Sequence, residues 1–179
     1  GRPQRFSYVE QIAGVEKRID DLECGMIGKH QLLNSALAVS TCQRLINKGW
    51  KISPEDIRQG LQRTRLPGRC ELFRKDRLIV LEIAHNPAST QALAETLQSD
   101  IPDFMSTERK TLILAVCRDK DSSAMFAPLA GLFNSIILTR YIDNPRGRDA
   151  LDLYELVRPQ ALVGQDGIVV TISDDPAAA

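Results

Sequence analysis

The sequence predicts an α/β protein: a small doubly wound, mostly parallel sheet preceded by a largely helical segment. Three observations predict it. Short runs that are apolar throughout recur from residue 78 onward, at Leu78–Ala84, Thr111–Val116, Ser135–Thr139 and Ile168–Ile172. Helical patterns separate them, the arrangement that makes strands parallel and covers both sheet faces. Between residues 29 and 65 the pattern is helical instead, and Leu66-Pro67-Gly68 breaks it.

Residues 1–27 are the least regular. Phe6, Tyr8, Val9, Ile12, Val15 and Ile19 suggest one or two short strands, with a turn at Gly14. From Lys29 to Lys48 the leucines and alanines follow a 3.6-residue period. Leu32, Leu33, Ala36, Leu37, Val39 and Ile46 are expected to share the core side. Asn47-Lys48-Gly49 stops that helix. Ser53-Pro54-Glu55-Asp56 starts the next, with Ser53 as N-cap and Pro54 at the first helical position. The domain boundary is placed at Leu66-Pro67-Gly68, giving segments 1–65 and 66–179. Beyond it, Cys70–Lys75 pairs with 78–84 as a hairpin turning at Lys75-Asp76. Helices are expected from Asn86-Pro87 to about Leu97, from Ser122 to Leu132 and from about Ala150 to Val157, and Pro176-Ala177-Ala178-Ala179 reads as a frayed tail.

Composition narrows the function classes. The chain has 179 residues, 43% hydrophobic and 26% charged, with 23 Lys+Arg against 23 Asp+Glu. That balance argues against a broad nucleic-acid surface. No apolar run approaches the ~20 residues of a membrane helix, and Gly1-Arg2-Pro3 leads into no signal-peptide core. Cys24, Cys42, Cys70 and Cys117 are scattered without a C-x-x-C pair. They read as reduced thiols of a cytoplasmic protein rather than a metal or disulfide framework.

Three groups could carry chemistry. In Gly28-Lys29-His30-Gln31-Leu32-Leu33-Asn34, the spacing puts His30 and Asn34 on one helix face. Asn34 has the donor and acceptor that an adenine edge requires, although an ordinary polar helix face has the same spacing. In Leu66-Pro67-Gly68-Arg69, Arg69 could fork onto phosphate oxygens or sit as a surface cation. In Glu82-Ile83-Ala84-His85-Asn86-Pro87, Glu82 stands at the end of an apolar strand, where a carboxylate can meet ribose hydroxyls or join an ion pair. The helix opening at Asn86-Pro87 offers N–H groups to an anion. His30 and His85 are the two histidines, too few for a metal site, and no G-x-x-x-x-G-K-[ST] phosphate loop occurs in the chain.

In order, G-K-H-Q-x-x-N-x-A-x-A, P-G-R and x-A-H-N-P, followed by Asp119-Lys120-Asp121 and Asn144-Pro145-Arg146, resemble the bifunctional folylpolyglutamate synthase / dihydrofolate synthase family of the Mur ligase superfamily. The resemblance covers about residues 22 to 172. It implies that 1–65 is the end of a central ATP-binding domain and that 66–179 is the C-terminal ligase domain, a Rossmann-like fold. It also implies an ATP-dependent carboxylate–amine ligase that uses Mg2+ and adds L-glutamate to dihydropteroate or tetrahydrofolate through an acyl phosphate. This chain would supply the adenosine side, with no catalytic and no metal residue of its own, and would be inactive alone. Asn34 is expected to meet the adenine, with His30 on the same helix face. Arg69 would contact the nucleotide and Glu82 the ribose, with His85 and Asn86 shaping the cleft. Glu82 departs from the family's usual Asp. The resemblance further implies a cytoplasmic monomer with no nucleic-acid or membrane partner. A non-catalytic adenine-nucleotide-binding module, or another Mur-type amide ligase, are the competing readings.

Overall fold

The computed structural model describes residues 4–12, 14–161 and 167–179; the opening Gly1-Arg2-Pro3 lies outside them. The chain separates into two compact units, Gly1–Ile83 and Ala84–Ala179.

The first unit opens with an antiparallel hairpin, β1 (Gln4–Ile12) and β2 (Val15–Cys24), running in register from Ile12↔Val15 to Gln4↔Cys24 with one irregularity between Phe6 and Tyr8. Two helices follow, α1 (Lys29–Asn47) and α2 (Pro54–Arg63). Tyr8, Leu22, Val39 and Ile57, one residue from each element, form a buried cluster, with Phe6, Ile19, Ala36, Ile46 and Leu61 packed against it. α2 starts as its sequence predicts: Ser53 Oγ accepts the Asp56 N–H at 3.1 Å, and Asp56 Oδ2 accepts the Ser53 N–H at 2.8 Å. This reciprocal pairing satisfies two otherwise orphaned donors.

The face that α1 buries differs from expectation. Gln31, Ser35, Val39 and Gln43, four residues apart, are its buried stripe, while Leu33 and Leu37 are 71% and 68% exposed. The polar members of the stripe find partners on the hairpin or on the helix itself. Ser35 Oγ donates to Cys24 Sγ at 3.4 Å, and Lys17 Nζ donates to Gln43 Oε1 at 3.0 Å. A buried polar group that keeps its hydrogen bonds costs little.

The first unit ends in a second hairpin, β3 (Glu71–Arg74) and β4 (Leu78–Leu81), paired antiparallel as its sequence suggests. β4 stops at Leu81, however, and it belongs to a two-stranded sheet of its own rather than to the parallel sheet. Ile79 and Leu81 on it are exposed.

The second unit holds the parallel sheet, ordered β5 (Thr111–Leu114), β6 (Ser135–Leu138), β7 (Val169–Ile172), with α3 (Pro87–Ser99), α4 (Ser122–Phe126) and α5 (Ala150–Ala161) between and before the strands. α4 is shorter than the expected Ser122–Leu132 helix, and Ala127–Leu129, which contains Pro128, continues it as a 3-10 turn before the loop to β6. Ile136 and Leu138 of β6 are buried with Phe126, Leu153 and Val157. On the other face Ile113 and Val169 stay more than half exposed, so only the central strand β6 carries fully buried positions, and the flanking strands are at most half-buried. The last residues form a 3-10 turn at Pro176–Ala178, capped by Asp175 Oδ1, which accepts the Ala177 N–H at 2.9 Å.

Candidate functional site

The predicted site residues divide between the two units: His30, Asn34, Arg69 and Glu82 lie in the first, His85 and Asn86 in the second. In the first turns of α1, the buried Gln31 joins two of them. Its Nε2 is 2.9 Å from His30 Nε2, and its Oε1 accepts the Asn34 Nδ2–H at 3.0 Å. Asn34 itself is exposed, leaving Oδ1 and a second N–H available.

Arg69 and Glu82 are also brought together. The loop from α2 to β3 folds back on the end of β4: Gly68 O accepts the Ile83 N–H at 2.9 Å, and Gly68 N–H donates to Glu71 Oε2 at 3.0 Å. Gly68 has φ +68°, and a Cβ there would press on Ile83 Cγ2 at 2.9 Å. Glycine is needed on both counts. Cys70, 2% exposed, is held at φ 47°, and its N–H donates to Glu82 Oε2 at 2.8 Å. Glu82 Oε1 lies 3.6 Å from Arg69 Nη1, the carboxylate side chain being 9% and the arginine 34% exposed. The Glu82 carboxylate therefore has protein partners at both oxygens and anchors the Arg69 loop.

In the second unit His85 and Asn86 precede α3 and are exposed. Asn86 Oδ1 accepts the Ser89 N–H at 2.8 Å, while Ser89 Oγ accepts the N–H groups of His85 and Asn86 at 3.1 and 3.2 Å. Asn86 is thus an N-cap. The helix start also offers an anion fewer donors than its sequence suggests, because Pro87 has no N–H and that of Ser89 is taken.

A further cluster, not among the predicted site residues, forms where ligands bind in parallel α/β sheets, beyond the carboxyl ends of the strands. The loops after β5 and β6 are laced together: Arg118 N–H donates to Arg146 O at 2.8 Å and Arg148 N–H to Val116 O at 2.9 Å. Arg148 Nη2 bonds the carbonyls of Arg118 and Lys120 at 2.8 and 3.2 Å. Asp119 accepts both bonds of Arg146 Nη2, at 3.0 and 3.1 Å, and meets Lys120 Nζ at 2.9 Å. The two sequence motifs containing Asp119 and Arg146 gave the signal; their juxtaposition needed the sheet. Among the described residues no cluster of three or more His, Cys, Asp or Glu side chains could hold a metal ion, and no helix is long and apolar enough to cross a membrane.

The hydrogen bond from Lys120, followed by that from Arg146, holds the Asp119 carboxyl at about 2, below its ordinary 3.8. A carboxylate with a depressed folded-state value contributes stability above its unfolded value, and that contribution is lost as pH falls through the folded one. Asp119→Asn is therefore expected to lower the melting temperature at neutral pH and to converge on wild type as pH falls through about 2 and the carboxyl becomes protonated in the folded state as well; curves that stay parallel over that fall would show that the pair does not contribute.

The parallel sheet of the second unit, with an arginine-rich edge beyond its strands, places that unit in the Rossmann-like class of α/β domains. Residues 68–179 match the profile of the family described as "Mur ligase, glutamate ligase domain", and the chain belongs to that family. It is 30% identical over 179 residues to the folylpolyglutamate synthase of Lacticaseibacillus casei, covering 98% of this chain and 40% of that protein. It is 30% identical over 143 residues to the dihydrofolate synthase/folylpolyglutamate synthase of Mycobacterium tuberculosis, covering 79% of this chain and 28% of that one. The structure of Mycobacterium tuberculosis folylpolyglutamate synthase complexed with ADP superposes with a TM-score of 0.76 at 26% identity, over 97% of this chain and 37% of the other. The chain thus spans about two-fifths or less of the length of these relatives.

Proposed function

We propose that these 179 residues supply the adenosine side of the nucleotide site in an ATP-dependent ligase that joins L-glutamate to a folate or dihydropteroate carboxylate in the cytoplasm. The observation that carries this reading is the opening of α1, where the Asn34 amide is tethered on one side and free on the other. One free donor and one free acceptor on a planar group fit an adenine edge. The relative in Mycobacterium tuberculosis that was solved with ADP supports the same ligand class.

On this reading Arg69 faces the nucleotide as a charged donor held in place by Glu82. His85 and Asn86 contribute chiefly by starting α3, and the domain boundary is placed at 65/66, close to the start of the family match, whereas the compact units divide after Ile83. ATP supplies the phosphoryl group that activates the acid as an acyl phosphate, which the glutamate amine then displaces. Magnesium and its ligands belong to parts of the ligase outside this chain.

Calorimetric titration with ADP tests the reading. Asn34→Ala and Arg69→Ala are each expected to weaken binding by about tenfold, or ~1.4 kcal/mol. Equal affinity in both variants would remove the adenosine-side assignment. Glutamate addition to a pteroate acid by the complete protein, abolished without ATP, would separate the ligase from a nucleotide-binding module.

A further inference from the structure

The polar atoms around Gln31 carry an inference that rests on the nucleotide reading for its ligand alone. Gln31 is 3% exposed in the stripe that α1 buries. An amide at that depth needs a partner at each end, and both of its partners are predicted site residues. One end of an amide donates and the other accepts. With Gln31 Nε2 donating to His30 Nε2 at 2.9 Å, that ring nitrogen must be the acceptor. The proton of a neutral His30 then sits on Nδ1. With Gln31 Oε1 accepting from Asn34 Nδ2 at 3.0 Å, the Asn34 amide has one permitted orientation.

The two constraints are coupled. Turning the Gln31 amide over would demand a proton on His30 Nε2 and would bring Asn34 Oδ1 round to Gln31. A mixed arrangement would set two donors or two acceptors against each other, at the full desolvation cost of each. A second observation indicates which group sets the arrangement. His30 Nδ1 is buried and has no hydrogen-bond partner among the described residues. No partner at Nδ1 therefore competes with Gln31, and the tautomer follows the direction of the Gln31 amide.

We propose that Gln31 is a positioning residue that locks the His30 tautomer and the Asn34 amide as one unit, presenting a fixed order of acceptor and donor to a nucleobase. A base edge with one donor beside one acceptor, as in adenine, matches that order; guanine, which offers two acceptors on its corresponding edge, does not. Gln31 need not touch the ligand to discriminate between them.

The lock has a signature independent of nucleotide binding. Nitrogen-15 NMR with the imidazole neutral is expected to show His30 protonated on Nδ1, with Nε2 at the shift of an accepting nitrogen. Gln31→Glu keeps the acceptor for Asn34 and removes the donor to His30, so the proton moves to Nε2 while the preference for ATP over GTP persists. Gln31→Met removes both, so the tautomer relaxes and that preference falls about tenfold, the low end of what a bidentate amide–base pair contributes. A residue needed only for packing would lower the melting temperature and leave the tautomer and the base preference unchanged.

Wild-type His30 protonated on Nε2 overturns the proposal, as does loss of base preference in Gln31→Glu. If Gln31→Met fails to fold, the wild-type tautomer and Gln31→Glu still decide. If the protein binds no nucleotide, the adenosine-side reading falls, and the NMR result alone supports or overturns the lock.

Discussion

Gly25→Ala is expected to destabilise the first unit by about 3 kcal/mol, at the upper end of the range for forced overpacking. Gly25 follows β2 and lies against the end of α2, its N–H donating to Leu61 O at 3.0 Å. A Cβ there would collide with Gln62 O and with the Arg65 guanidinium, and would sit 2.9 Å from Thr64 O. The arginine could swing away, but the two carbonyls are backbone. Arg65 Nη1 bonds both, at 2.9 and 2.7 Å, in the place where a cation satisfies the orphaned carbonyls of a helix end. Alanine would therefore displace both the helix end and its cap. For a chain of this size the loss corresponds to a fall in melting temperature of roughly 10 °C. Gly60 in α2 is the control, since a Cβ there meets nothing within 4 Å; Gly60→Ala should stabilise by about 0.5–1 kcal/mol through helix propensity. Equal melting temperatures for Gly25→Ala and wild type would show that the approach is not tight.

The difference between those two glycines was not legible in the sequence, and neither was the buried face of α1. Local signals were. Ser53-Pro54 and Asn86-Pro87 start helices because capping depends on atoms three residues apart, and the hairpin turn at Lys75-Asp76 is equally local. The failures concern partners distant in the chain. Leu33 and Leu37 resemble core residues until β1 and β2 are placed against the other stripe, where Lys17 and Cys24 satisfy Gln43 and Ser35. Leu78–Leu81 resembles a buried parallel strand, and its apolar composition could not reveal that, among the described residues, β3 is its sole partner. In the candidate site, the motifs identified the residues but not their bonds. Gln31 stands in the G-K-H-Q motif with no role legible from its type, because its role lies in the hydrogen bonds to its neighbours. Asp119 and Arg146 are 27 residues apart and meet because β5 and β6 are adjacent and parallel.

The second large effect is expected at Glu82, where the sequence left ribose contact and ion pairing open. Glu82→Ala should cost about 2 kcal/mol of stability, because it removes an acceptor from the N–H of a residue that is 2% exposed and held at φ 47°. Cys70 has no steric reason to adopt that conformation, and a non-glycine residue there is strained by about 1 kcal/mol or more. The charge-assisted bond from its N–H offsets that strain. Glu82→Gln retains one acceptor oxygen of the same reach for the Cys70 N–H but turns an NH2 toward Arg69 in place of the other oxygen, so it should cost about half as much. Glu82→Asp, the residue usual in the family that the sequence resembles, draws the carboxylate back by one methylene and should fall between Gln and Ala unless the loop follows it. Chemical denaturation of the three variants ranks them. ADP titration then separates the roles: an anchor for the loop lowers affinity in step with the loss of stability, so Gln weakens binding less than Ala. A ribose contact would make Gln and Ala weaken binding alike, with stability unchanged. The partners already present at both carboxylate oxygens favour the anchor.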